Sequence, residues 1–201
     1  MGTVLYIKAN PKNDQASRTF RISESFVQAY KESHPQDQVV MLDLYKEGIH
    51  FLTPEDITSV FGPKNEESPK HPVLKYAYQF AAADKYIIAA PMWNLGIPAV
   101  LKAYIDYITV TGITFKYTEQ GAVGLLQGKK AVHIMATGGQ YTEGPFSAYE
   151  MANRYLKTIF GFLGITDITT LIAEKLDIVG VDSEGIVSTA QNEAQKAAKA
   201  F

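Results

Sequence analysis

Short apolar runs alternate along this chain with longer stretches whose apolar positions recur at helical spacing. Val4-Leu5-Tyr6-Ile7 has the length of a buried strand, and the turn-rich Asn10-Pro11-Lys12-Asn13-Asp14 follows it. Ser17 can cap a helix running to about His34, where Pro35 stops it. Gln38 to Leu44 reads as a second strand. Residues 46–72 carry Pro54, Pro63, Pro69 and Pro72 among many charges, which predicts a long surface excursion with one short helix. Helix returns from Val73 to about Ala83.

Tyr86-Ile87-Ile88-Ala89-Ala90 is continuously apolar, the pattern of a strand covered on both faces. Pro91 to Gly96 is then a loop, and Pro98 suits the first turn of a helix whose Val100, Leu101, Tyr104, Ile105 and Ile108 share one face. Ile113 to Tyr117 alternates with period two and Gly121 opens a second short segment, so a hairpin is expected. Ala131 to Met135 is a fourth core strand, ending at Thr137-Gly138-Gly139. A helix near Tyr149–Leu163, a strand near Ile168–Ala173 and an Ala-rich helix after Ser183 complete the pattern. Strand alternating with helix predicts an α/β fold: a parallel sheet of five strands, ordered 2-1-3-4-5, with helices on both faces in three layers.

The chain has 201 residues, 46% of them hydrophobic, enough for one domain spanning 1–201. Nineteen basic against 21 acidic residues leave a net charge of -2, which argues against nucleic acid or a membrane surface as an electrostatic partner. There is no cysteine, hence no disulfide and no thiol chemistry. The start lacks a signal-peptide pattern and no apolar run reaches the length of a membrane span, so a cytoplasmic protein is expected.

In such sheets ligands bind beyond the carboxyl ends of the strands, which selects three loops: Ala9–Thr19, Pro91–Gly96 and Ala136–Tyr141. In the first, Ser17 and Thr19 bring hydroxyls to a helix start, where free N–H groups and the positive dipole end favour an anion. Arg18 adds charge there and Asn10 an amide. Ser17 as a plain helix cap explains the same residue. The second loop, Pro91-Met92-Trp93-Asn94-Leu95-Gly96, holds the only tryptophan and suits a flat apolar ligand, or else a core-capping turn. In the third, Thr137-Gly138-Gly139 permits close backbone approach to a ligand or simply a tight turn, with Tyr141 beside it.

Other chemistries are excluded. Gly124-Leu125-Leu126-Gln127-Gly128-Lys129-Lys130 looks like a phosphate loop but has the wrong spacing and precedes a strand instead of following one. Neither G-x-G-x-x-G nor G-x-S-x-G occurs. His34, His50, His71 and His133 have no metal-ligand spacing, and His133, inside an apolar strand, is expected to be structural. Phe115, Tyr117, Phe160 and Phe162 are placed either to wall a cleft or to fill the core.

Taken in order, Ala9-Asn10-Pro11, Ser17-Arg18-Thr19, Pro91-Met92-Trp93-Asn94-Leu95, Leu101-Lys102-Ala103-Tyr104-Ile105-Asp106, Gly112 to Thr118, Gly138-Gly139 and Phe160 to Ile165 resemble the FMN-dependent NADH azoreductases, also called NADH:quinone oxidoreductases. The resemblance covers nearly the whole chain. It implies a flavodoxin-like fold, one FMN per subunit and a homodimer with active sites at the subunit interface. It further implies NADH as electron donor, with NADPH as the second candidate, and quinones or azo compounds as acceptors in a ping-pong exchange of hydride. Ser17, Arg18 and Thr19 would hold the phosphate, with Asn10 nearby. Pro91, Met92, Trp93, Asn94 and Leu95 would line the flavin ring, the Asn94 N–H facing N5. Ala136, Thr137, Gly138 and Gly139 would edge its pyrimidine side, with Tyr141 beside them. Phe162 and the partner subunit's Tyr117 would wall the substrate site. No metal and no protein nucleophile is implied. Two positions depart from the pattern: Ala136 stands where many relatives carry Ser, and Asn10 replaces a common Ser or His. A flavodoxin-type electron carrier and a flavin reductase with another acceptor are the rival readings.

Overall fold

The computed structural model describes residues 1–201. Five parallel strands form the central sheet: β1 (Thr3–Lys8), β2 (Gln38–Asp43), β3 (Lys85–Ala89), β6 (Lys130–Ala136) and β7 (Asp167–Ala173), in the order β2-β1-β3-β6-β7. With the β4–β5 hairpin (Phe115–Thr118 and Gly121–Gly124) set aside, this is the expected 2-1-3-4-5 order. The reversal lies between β1 and β3, so the carboxyl ends of the two strands open the crevice in which such sheets bind ligands.

Period-two alternation divides the central strands between two cores. Leu5, Ile7, Tyr86 and Ile88 face α3 (Leu74–Ala82), α4 (Ala99–Ile108) and α5 (Ala152–Phe162). Val4, Tyr6, Ile87 and Ala89 face α1 (Arg18–Ser33) and α6 (Ser183–Ala200). Both faces of β1 and β3 are therefore dry, which is why these strands read as unbroken apolar runs. Ala190, Ala194 and Ala198 recur every fourth residue on α6, and their small side chains let it lie close along α1. Arg21 on α1 grips Glu184 in the first turn of α6 with both guanidinium arms, at 3.0 and 2.6 Å.

The excursion holds the expected short helix, α2 (Pro54–Phe61), begun by a Thr53–Asp56 capping box, and also a single 3₁₀ turn at Ser68–Lys70. Two boundaries differ from the sequence pattern. Pro98 stands just outside α4 as its cap residue, because its ψ of 142° is extended and helical geometry starts at Ala99. Residues Ser147–Tyr149 form a separate 3₁₀ turn, and α5 begins only at Ala152. The phosphate-loop lookalike is a packing element: the backbone at Gly124 presses on Leu163 and Gly164 so closely that a Cβ has no room. Lys129 beyond it donates to the carbonyls of Ala81, at 3.0 Å, and Ala83 at the end of α3. No helix is long and apolar enough to cross a membrane.

Candidate functional site

The carboxyl ends of β1, β3 and β6 open into a cleft of about 270 Å³. Asn10, Ser17, Arg18 and Thr19 line one side of it, Pro91, Met92 and Trp93 the second, and Ala136, Thr137 and Gly138 the third. The three loops selected from the sequence thus meet in one place.

Ser17 is the N-cap of α1, its Oγ accepting from the Phe20 N–H at 3.2 Å. The same oxygen accepts from Asn10 Nδ2 at 3.0 Å, inside the buried part of the loop. A hydroxyl has two lone pairs and one proton, so with both lone pairs engaged the Ser17 proton is left for another acceptor. Capping α1 therefore leaves Ser17 able to donate to an anion, and the two readings of this residue are compatible. The N–H groups of Arg18 and Thr19, in the first turn of α1, bond to nothing in the chain. They aim the positive end of the helix dipole at the cleft. Beneath them the Lys8 ammonium, almost fully buried, pairs with Asp14 and with Glu24 at 3.1 Å and lies 4.4 Å from the centre of the Phe20 ring. That contact ties the middle of the first loop to the end of β1.

In the second loop Trp93 and Gly96 exchange both backbone hydrogen bonds, at 2.9 and 3.0 Å, around Asn94 and Leu95. Both central residues have positive φ, 47° and 69°, the signature of a type I′ turn. A leucine in that region costs about 1–2 kcal/mol. The turn leaves the N–H groups of Asn94 and Leu95 without partners in the chain.

The third loop is fastened by its carbonyls. Thr137 O accepts from Leu176 N at 3.2 Å, Gly138 O from Asp177 N at 3.0 Å and Gly139 O from Lys175 N at 2.9 Å. The N–H groups of Gly138, Gly139 and Gln140 stay unbonded. The segment that does the fastening, 173–177, follows β7. Its Glu174 carboxylate accepts from the Tyr141 and Thr142 N–H groups at 2.6 and 2.8 Å and from the Thr142 hydroxyl. Asp177 lies against Gly138, where a Cβ would collide with its carboxylate, and pairs with Arg18 Nη1 at 2.6 Å, joining two walls of the cleft.

Leu176 and Asp177 line the cleft and sequence reasoning missed both; Lys12 and Ala16 also line it, inside the selected Ala9–Thr19 loop but not singled out there. Nothing in the run Leu171–Asp177 marks it as a support, because most of its bonds use backbone atoms. His133 is structural, as expected. Burial pushes its pKa down to about 4, so the ring is neutral; Nε2 donates to the Ala90 carbonyl at 3.2 Å, just before the second loop. Nδ1 faces the Asn153 side-chain amide at 3.4 Å.

Leu95, Gly139 and Tyr141 line a second, more apolar cleft of about 580 Å³, together with Phe146, Tyr149 and Ile178. The second and third loops line both clefts through neighbouring residues, Trp93 and Gly138 on the polar side and Leu95 and Gly139 on the apolar side, while Asn94 lines neither. Of the four aromatic residues with two readings, Phe115 and Phe160 belong to the core, whereas Tyr117 and Phe162 are open to solvent. These two flank Phe115, at ring distances of 5.5 and 4.9 Å, and line neither cleft of their own chain. No group of three His, Asp or Glu side chains is placed to hold a metal ion.

The sheet order, with a polar cleft at a helix start beside an apolar one, defines the class. The flavodoxin-like fold family matches residues 2–198, and this chain belongs to it. Within it the chain belongs with the FMN-dependent NADH:quinone oxidoreductases and azoreductases. A relative of that first name from Caldicellulosiruptor saccharolyticus is 70% identical over 201 residues, covering 100% of both chains. The crystal structure of an azoreductase from Bacillus anthracis is 40% identical, covers all of both chains and superposes with a TM-score of 0.90. A second B. anthracis structure, an FMN-dependent NADH-azoreductase in complex with FMN, is 30% identical over 100% of this chain and 99% of its own, with a TM-score of 0.89.

Proposed function

We propose that this chain binds FMN across the two clefts and passes two electrons from NADH to quinones and aromatic azo compounds. One observation carries the reading: three neighbouring loops leave backbone N–H groups unbonded, those of Arg18, Thr19 and Gly138 at the polar cleft and those of Leu95, Gly139 and Gln140 at the apolar one. Those of Arg18 and Thr19, with the free Ser17 proton and the Arg18 guanidinium, suit a phosphate. Those of Asn94, Leu95, Gly138, Gly139 and Gln140 suit the polar rim of a flat heteroaromatic ring, whose apolar body suits Met92, Trp93 and Leu95.

When bound, the flavin supplies the hydride chemistry, and no protein nucleophile is required. The chain's work is then to hold and shield. The Asn94 N–H is assigned to the ring nitrogen N5, and the 138–140 N–H groups to the pyrimidine oxygens, where added electrons place negative charge. Trp93 and Met92 exclude water from the ring. Donor and acceptor use one site in turn.

The active unit of the proposal is a homodimer in the cytoplasm; because Phe162 sits with Tyr117 against Phe115 and lines neither cleft of its own chain, both rings are proposed to close the acceptor side of the other subunit. Their exposure, 39% for Phe162 and 71% for Tyr117, supports a covered role, since rings this open favour contact with another surface. Initial rates test the scheme. With NADH and a small quinone varied together, double-reciprocal lines are expected to be parallel; lines that intersect would show a ternary complex and reject the shared site.

A further inference from the structure

The apolar cleft has features that holding a cofactor does not explain. Phe146 and Tyr149, on the turn before α5, present rings 6.2 Å apart and 26° from parallel. Both line the cleft and both are at least half exposed, at 57% and 50%. Open aromatic rings on a loop are expected to be mobile, yet this loop is braced at each end. Glu174 takes the N–H groups of Tyr141 and Thr142 where the loop begins. Where it ends, the Met151 N–H donates at 3.1 Å to the carbonyl of Leu95, in the positive-φ turn of the second loop. Between them Ser147 N bonds Gly144 O at 3.2 Å and Tyr149 N bonds Phe146 O at 3.0 Å. The rings are pre-positioned, which lowers the ordering cost of a ligand that stacks on them.

Charge narrows the choice of ligand. Among the 10 residues lining this cleft Glu143 is the only charged one, and Gln140 Nε2 holds its carboxylate at 2.6 Å. The adjoining cleft carries Asp177, paired with Arg18, and also Lys12, and Arg154 reaches the Ser147 carbonyl of the aromatic turn at 3.5 Å from outside the lining. Within the aromatic cleft's own lining the one formal charge is therefore the negative charge of Glu143.

We infer that Phe146 and Tyr149 form the acceptor subsite and that Glu143 at its rim selects uncharged aromatic acceptors over sulfonated or carboxylated ones. The inference rests on the proposed function, since an acceptor presupposes a bound flavin. It adds residues of the same chain to the wall otherwise assigned across the subunit boundary. Selection works by repulsion of the wrong ligand as much as by stacking of the right one.

The experiment uses the FMN-loaded protein, reduced anaerobically with one equivalent of NADH and mixed rapidly with acceptor. The acceptors are 2-methyl-1,4-naphthoquinone and 1,2-naphthoquinone-4-sulfonate. Phe146→Ala is expected to raise the half-saturating concentration of the uncharged quinone about tenfold while the limiting rate and the FMN dissociation constant hold. Glu143→Gln is expected to improve the sulfonate about threefold at low salt, to leave the uncharged quinone unchanged, and to lose its advantage at high salt. Loss of FMN affinity in Phe146→Ala would put the flavin ring itself against Phe146 and Tyr149, leaving no acceptor space there, and overturn the inference. A fall in sedimenting mass would make it a subunit contact, with the same consequence. An unchanged sulfonate preference in Glu143→Gln would remove the charge filter. A wild-type protein that takes up no FMN would instead refute the proposed function, a distinct result.

Discussion

Ser17 shows how one side chain serves fold and site together. Its oxygen caps α1 and receives Asn10, and its proton is left over for a ligand. Ser17→Ala is expected to cost about 1 kcal/mol of stability through the lost cap. It should also weaken FMN at least several-fold while leaving riboflavin, which lacks the phosphate, almost unaffected; fluorescence-quenching titrations with the two flavins give the comparison. Equal losses for both flavins would mean that the cap alone matters. His133 offers a prediction of another kind. Its folded pKa lies near 4 against an ordinary 6.5, so between these values the unfolded chain binds the proton and the folded one does not. Stability from this residue is thus present above pH 6.5, falls as pH drops through that window and levels off below about 4. Urea titrations of the wild type and His133→Asn from pH 7.5 to 4.5 should differ in slope, the variant being the flatter. Ser17 and Trp93 were visible in the sequence because capping and a lone tryptophan between prolines are residue-type signals. Leu95 in a left-handed turn was not, since the preference there is for Asn or Gly and only the fold imposes the conformation.

At the scale of elements, each of the three loops is given its shape by a neighbour. Asp14 and Asn10 fold the first onto β1 and α1, Met151 steadies the second, and segment 173–177 clamps the third. The strands and helices were legible because burial leaves a periodic trace, and the first and third loops followed from strand ends and small residues. The clamp left no trace: backbone N–H groups of Lys175, Leu176 and Asp177 do the holding, and any sequence offers those. Tyr149, the last residue of the turn, was read as the start of a helix, whereas it closes a separate 3₁₀ turn and α5 begins at Ala152. Glu174 is the clamp side chain that hydrogen-bonds the loop, and it lines neither cleft. Glu174→Ala should speed amide exchange at Tyr141 and Thr142 about tenfold or more, with β6 amides such as Val132 unchanged. Equal protection in the variant would mean that the loop is held from elsewhere.

For the molecule as a whole, two dry cores flank one sheet and leave the crevice at the β1–β3 reversal as the place where polar groups stay unspent. The sheet order was legible because right-handed crossovers and the number of strands leave few alternatives. The proposed pairing of two chains has no such basis in the pattern, since exposed rings such as Tyr117 carry no mark of what covers them. With a net charge of only -2 the protein has no strong field for docking an electron-transfer partner, which favours small acceptors that diffuse in. The central claim is that a flavin held in this crevice takes electrons from NADH and gives them to a quinone. The most direct measurement is the visible spectrum of the FMN-loaded protein under anaerobic conditions, first with one equivalent of NADH and then with a quinone. The account predicts that the yellow absorption bleaches with NADH and returns in full with the quinone. A flavin that binds but stays yellow in excess NADH would contradict it and make the protein an electron carrier.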